Sequence, residues 1–164
     1  MATGWWRHLV SSPWALRRAF PAATLAAINA AVADGERRHA AEVRVAIEPA
    51  FSLAQLWHGT TPRQRAVDVF SRMRMWDTAG NNGVLIYILL AEHDIEIVAD
   101  RAFAGCVPAT AWEEICRAMV AAFHAGDYQG GTVQAVERVH ALAAPLFPVS
   151  GGSPNELPDA TVLL

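Results

Sequence analysis

Two short polar clusters bracket the most apolar part of this chain, and their side chains are the ones equipped for chemistry. Asp77, Thr78, Asn81 and Asn82 precede an uninterrupted apolar run over residues 84–91, and Asp100 with Arg101 follows a second apolar run over residues 95–99. Carboxylate and amide oxygens are hard donors, suited to a divalent ion such as calcium or magnesium. A guanidinium beside them suits a phosphate or carboxylate, whose oxygens match its fork of N–H groups. Asp77, Asn82 and Asp100 are therefore the candidate cation ligands, and Arg101 is the candidate anion-binding residue. The same residues also have a structural reading, and both stay open. Asn82-Gly83 is a turn signal with glycine supplying positive φ. Asp77 and Thr78 can cap the end of the preceding helix, and Asp100 with Arg101 can tie down a hairpin.

Several other chemistries lack their residues. Every one of the 13 basic residues is an arginine, so a lysine nucleophile, a Schiff base and a P-loop lysine are excluded. That arginine bias reflects either oxyanion recognition or the base composition of the genome, and the abundant alanine favours the second. The six histidines form no HExxH pair, and neither a GxSxG elbow nor a dinucleotide fingerprint occurs. Cys106 and Cys116 have neither CxxC nor zinc-finger spacing. Cys116 falls on an apolar helical stripe, as a small buried hydrophobe would, and a reducing compartment fits. Asp127-Tyr128, after Gly126, is a lesser candidate pair. A net charge of −3 and a pI near 6.0 argue against nucleic acid as a partner.

To bring the polar clusters together, the chain between them must fold as a buried sheet. With 164 residues and 53% hydrophobic residues, one domain can bury a real core. No apolar run approaches the ~20 residues of a spanning helix, so the protein is not expected to be transmembrane itself. No secretory leader is evident, and a cytoplasmic location follows. Residues 1–19 carry three tryptophans among Arg7, Arg17 and Arg18. Such an arm either packs on the domain's own core or anchors it peripherally at a membrane, here the inner membrane, or at a partner.

A helix is expected from Pro21, as first helical residue, to about residue 38, with Leu25, Ile28 and Val32 on one side. Residues 42–48 alternate as a half-buried strand, with Val43, Val45 and Ile47 inward and Glu42, Arg44 and Glu48 on a wet face. Thr61 and Pro62 open a helix whose stripe of Ala66, Val69, Phe70, Met73 and Trp76 faces the core. The strand over residues 84–91 then lies parallel to the first through a βαβ crossover. A turn at Glu92-His93-Asp94 makes the next strand antiparallel. Thr110 and Glu113 form a capping box for a helix with Trp112, Ile115, Cys116, Met119, Val120 and Phe123 inward, ended by Gly126. A last helix carries Val133, Val136, Val139 and Ala143 inward and ends near Pro145. The Gly, Pro and Ser content from residue 150 onward predicts a disordered tail. The organisation is thus an arm (1–19), an α/β domain (20–148) and a tail (149–164). One difficulty attends the candidate site. If Glu92 pairs with Ile95, Asp100 stands opposite Tyr87, about 17 Å of strand away from Asn82.

The order of these elements and several of their residues resemble the TPM domain family, in its short proteobacterial form. The likeness spans residues 20–148. It is carried by Trp76-Asp77-Thr78, by residues 81–87 (NNGVLIY) and 95–101 (IEIVADR), by the strand at 42–48 (EVRVAIE) and by Arg65-Ala66. The resemblance implies an α/β fold, a three-layer α/β/α sandwich with a small mixed sheet covered by helices on both faces. It also implies function: some relatives are described as acid phosphatases, some bind divalent metal such as calcium, and many are tethered to membranes or encoded beside a LemA-type membrane protein. Two departures bear on activity. Asp100-Arg101-Ala102 stands where better-studied relatives have Gly-x-Gly, removing backbone freedom that lets a phosphate approach. Asn81-Asn82-Gly83 replaces Asp-Asn-Gly, removing one charge from a hard-cation site. The expectation is therefore an accessory or binding domain, acting with a membrane protein and taking calcium or magnesium. The alternative is a divalent-metal-assisted phosphate-ester hydrolase, with Asp77, Asn82 and Asp100 on the ion and Arg101 on the phosphate.

Overall fold

The computed structural model describes residues 13–149 and 157–164. What the sequence suggested for Trp5, Trp6, Arg7 and the rest of residues 1–12, and for residues 150–156, lies outside the described residues.

In chain order the elements are α1 (Pro13–Ala19), α2 (Ala22–Glu36), β1 (Glu42–Glu48), α3 (Leu53–Trp57), α4 (Pro62–Arg72), β2 (Gly83–Leu89), β3 (Asp94–Ala99), α5 (Ala109–His124), α6 (Tyr128–Ala143) and β4 (Val162–Leu163), with short 3-10 turns at Leu90–Glu92 and Arg101–Phe103. The sheet runs β3-β2-β1-β4. β1 is parallel to β2 and to β4, whereas β2 and β3 are antiparallel, so the sheet is mixed as expected. All seven residues of β2 are buried. Alternation along the strands divides the core in two. Val84, Ile86 and Ile88 pack with Val43, Val45 and Ile47 against α2, α5 and α6. Leu85, Tyr87 and Leu89 pack with Ala46 against Ala66, Val69 and Phe70 of α4. The three-layer α/β/α arrangement follows, because a strand apolar on both faces needs helices above and below.

α4 forms as its start signals dictate. The Thr61 hydroxyl accepts from the Gln64 N–H at 3.2 Å, the Gln64 side chain accepts from the Thr61 N–H at 3.0 Å, and Pro62 occupies the first turn. α6 is capped by Asp127, whose carboxylate accepts from the Gly130 N–H at 2.8 Å. That structural duty accounts for the Asp127-Tyr128 pair. α5 gives way to Ala125 and Gly126, the latter at φ 81°, which is the expected left-handed stop.

Several expectations are corrected. Pro21 is the N-cap of α2, with helical geometry starting at Ala22. α5 opens at Ala109 behind an extended Pro108 with no side-chain cap, so no Thr110–Glu113 box forms. α4 ends at Arg72, and Arg74 adopts φ 56°. This left-handed turn swings Met75 into the core, completely buried, and leaves Trp76 about half-exposed at 52%. The charged face of β1 is not wet: Glu42 and Glu48 are buried and Arg44 half-buried, because α3, α4 and residues 157–164 cover that side. The tail is not disordered throughout, since Val162 and Leu163 pair with Ala46 and Ile47 as the edge strand β4. Finally, β2 stops at Leu89 rather than continuing to residue 91. Leu90 turns inward on the 3-10 turn, His93 takes φ 52°, and the hairpin pairs Leu89 with Asp94 and Val84 with Ala99.

Candidate functional site

That register decides where Asp100 goes. One step beyond the Val84–Ala99 pair, the Asp100 N–H donates to the Gly83 carbonyl at 2.9 Å. The 17 Å separation raised by the simple pairing therefore does not arise. Asp100 stands beside the Asn81-Asn82-Gly83 turn, and Glu42 lies opposite Gly83 on the other flank.

The turn itself is tightly built. Gly83 passes so close to the preceding loop that a Cβ there would sit 2.3 Å from the Met75 carbonyl oxygen, so only glycine fits. Thr78 is buried, and its hydroxyl accepts from the Asn82 N–H at 3.1 Å. Asn82 is also buried, and its side-chain NH₂ donates to the Ala40 carbonyl at 2.7 Å. This bond fixes the amide and turns its oxygen the other way. Asn81 tolerates φ 48°, and its side-chain oxygen accepts from Arg101 Nη2 at 2.7 Å and Nε at 3.1 Å. The Ala102 N–H closes the loop on the Asn81 carbonyl at 3.1 Å. Asp100 caps the following 3-10 turn through Oδ1, which accepts from the Arg101 N–H at 2.7 Å. Its other oxygen, Oδ2, is buried and has no hydrogen-bond partner.

The backbone thus brings three of the four candidate residues to one strand end: Asn82 and Asp100 adjoin Gly83, and Arg101 is held there by Asn81. The fourth does not join them. Asp77 is exposed on the loop, where its backbone N–H donates to the Arg74 carbonyl at 2.9 Å. Among the described residues no group of three or more His, Cys, Asp or Glu side chains is placed to hold a metal. An ion at this strand end would take the orphaned Asp100 carboxylate oxygen, with water or a bound anion filling the rest of its shell. Such a donor set suits a hard cation that keeps part of its hydration shell.

At the opposite end of the parallel strands is a second polar cluster that the residue types alone did not reveal. Glu48 Oε2 accepts from Arg65 Nε at 2.8 Å and from the Tyr87 hydroxyl at 2.5 Å. Its Oε1 accepts from Arg65 Nη2 at 3.1 Å and from the Gln55 side chain at 3.3 Å. Arg65 and Arg72 both reach Asp68, at 2.7 and 2.9 Å. The Tyr87 phenol is pushed up by burial and by the Glu48 carboxylate, and Arg65 is held further protonated chiefly by its bond to Glu48. This network ties α3 and α4 to the strand ends. The only signal in the sequence was that Glu48, Arg65 and Tyr87 all lie within the motifs that carried the family resemblance.

A third buried cluster joins α2 to α6. The Ala41 N–H donates to His39 Nδ1 at 3.1 Å, which obliges His39 to carry its proton on Nε2 and to donate to His140 Nδ1 at 2.7 Å. His140 therefore keeps its proton on Nε2, against Gly35, where any Cβ would lie 2.0 Å from that nitrogen. Burial drives both imidazoles toward the neutral form, and His39 helps lower His140 to about 4.

Among solved structures, the chain is similar to the BA42 protein from the psychrophilic bacterium Bizionia argentinensis, determined by NMR. The two superpose with a TM-score of 0.76 at 27% identity, over 88% of this chain and 94% of that one. Comparison with curated protein sequences returns no match. The family profile described as TPM domain matches residues 17–142, from α1 through α6 and across the turn that bears Asn82. With most of its length so matched and the same fold in BA42, the chain belongs to the TPM domain family.

Proposed function

We propose that this TPM domain is an accessory binding domain that takes a divalent cation, calcium or magnesium, at Asp100 and Asn82, with Arg101 beside the ion to pair with an anionic group. The observation that carries the proposal is the buried Asp100 Oδ2 without a partner, at the strand end that also holds an Asn82 amide locked through its nitrogen. A buried carboxylate oxygen left unbonded costs the full desolvation of that group, and an ion is the ligand that removes the cost.

The partner we infer is a membrane protein, of the LemA type that the family resemblance implies, met by a peripheral rather than spanning contact. Among the described residues no helix is long and apolar enough to cross a membrane. In support, Trp14 is 67% exposed on α1, with the Arg18 guanidinium 5.5 Å from its ring centre, a pair suited to an interfacial surface.

The test is thermal unfolding with and without calcium or magnesium, on the wild type and on Asp100→Asn. At a hundred times its Kd, a native-only ligand stabilises by about 2.7 kcal/mol, so a millimolar cation should raise the wild-type Tm by several degrees and that of the variant much less. An unchanged Tm in the wild type would remove the cation site. Cation-dependent turnover of an aryl phosphate, lost in Asp100→Asn, would replace the accessory role by the hydrolase. Deleting residues 1–19 should abolish sedimentation with inner-membrane vesicles, and a full-length chain that never sediments would remove the membrane contact.

A further inference from the structure

The last described segment, residues 157–164, closes over a group of charges that the candidate site does not use. Its ladder to β1 is short, with Val162 opposite Ala46 and Leu163 opposite Ile47, extended by the Leu164 N–H donating to the Ile47 carbonyl at 3.0 Å. Leu163 and Leu164 are 48% and 42% exposed, while Leu157 and Val162 pack on the side of the core that holds Ala46 and Tyr87. Polar attachments add to this packing. The Thr161 N–H and hydroxyl both donate to the Asn29 side-chain oxygen, at 2.8 and 2.7 Å, and the Leu157 N–H donates to Glu42 Oε2 at 3.2 Å.

Beneath this strap, three carboxyl groups from three elements share one arginine. Glu36 ends α2, Glu42 and Arg44 begin β1, and Asp159 belongs to the strap. Glu36 Oε1 accepts from the Val43 N–H at 2.7 Å. Its Oε2 is buried with no hydrogen bond of ordinary geometry, although the Asp159 carboxyl reaches the same group. Arg44 Nε is likewise buried and unbonded, so the single cation does not neutralise Glu36 through that nitrogen. The other charges on this end of α2, Asp34 and Arg37, pair with each other at the surface at 2.5 Å. Fully ionised, the cluster would hold three negative charges against one positive. A proton between Glu36 and Asp159 removes one of the three and supplies the missing hydrogen bond.

We propose that residues 157–164 form a proton-controlled edge strand: a proton shared between Glu36 and Asp159 holds the segment on β1, and its loss detaches β4. Burial, then the neighbouring Glu42 and Asp159 carboxylates, push the Glu36 carboxyl up to about 8, which puts the transition in a mildly alkaline range.

The test is methyl NMR on the full chain, following Val162, Leu163 and Leu164 from pH 6 to pH 10, with Ile86 as a core reference and the Glu36 carboxyl carbon as the titration probe. In the wild type the tail methyls should move to random-coil positions together with the Glu36 titration while Ile86 stays fixed. In Glu36→Gln the amide keeps both bonds without a titratable proton, and in Asp159→Asn one negative charge is gone. Both variants should hold their tail signals in place through pH 10. Tail methyls that stay put in the wild type, that move equally in both variants, or that are already free at pH 6 in both would overturn the proposal. If Glu36→Gln does not fold, Asp159→Asn carries the same test.

Discussion

Arg65 supplies two of the four hydrogen bonds that hold the buried Glu48 carboxylate. Replacing it by alanine strands that charge, and a broken buried pair typically costs about 3–5 kcal/mol. Arg65→Ala should therefore lower the urea midpoint strongly, whereas Arg72→Ala, on a side chain 72% exposed, should change it little. A comparable sensitivity is expected at Gly83, where a methyl group meets backbone rather than a movable side chain. Gly83→Ala should destabilise by about 1–3 kcal/mol, the usual range for overpacking, read from the same denaturant curves. The residue types alone marked a turn before β2 but gave its left-handed position to Gly83, which is extended as the first residue of β2 while Asn81 takes φ 48°, and they placed Glu48 on a wet face. The alternation of β1 distinguishes two faces and does not say that a second helical layer covers the charged one. Burial of Glu42 and Glu48 is a property of α3, α4 and the tail, which no short window around β1 contains.

At the scale of elements, strong local signals were legible and boundaries were not. The Thr61–Gln64 box and Pro62 start α4 where the sequence said, and Thr61→Ala should cost about 1 kcal/mol in a urea melt, as loss of an N-cap does. The end of β2 could not be read, because Leu90 and Ala91 continue an apolar run that the chain itself abandons for a 3-10 turn. No glycine marks that turn; His93 takes the left-handed position. Yet this boundary sets the register of β3 and so carries Asp100 to Asn82. The candidate site was legible in its residue types at Asn82, Asp100 and Arg101, and illegible in its geometry until the hairpin register was known. Asp77 shared the same signal but lies on an exposed stretch of loop beyond the left-handed Arg74, apart from the other three.

For the whole molecule, two buried titrations act on stability with opposite sign. His140 has its folded value lowered from 6.5 to about 4, so between those limits the unfolded chain binds more protons and stability rises with pH. Glu36 has its folded value raised from 4.5 to about 8, so the folded state keeps a proton that the unfolded chain has lost and stability falls with pH across that range. His39, also lowered by burial, adds to the His140 slope, so the imidazoles oppose Glu36 up to about pH 6.5, and above it the Glu36 slope remains. Urea midpoints should thus fall from pH 6.5 to about 8. In Glu36→Gln the rise from His140 should emerge at the acid end and the alkaline fall should vanish. The central claim, that the strand-edge turn gathers hard oxygen donors for a cation, is tested most directly by following backbone amide shifts during calcium and magnesium titrations. Saturable shifts confined to Asn81, Asn82, Gly83, Asp100 and Arg101, and abolished in Asp100→Asn, are expected. Amides in that turn that stay unmoved through millimolar cation, or shifts that gather elsewhere, would contradict it.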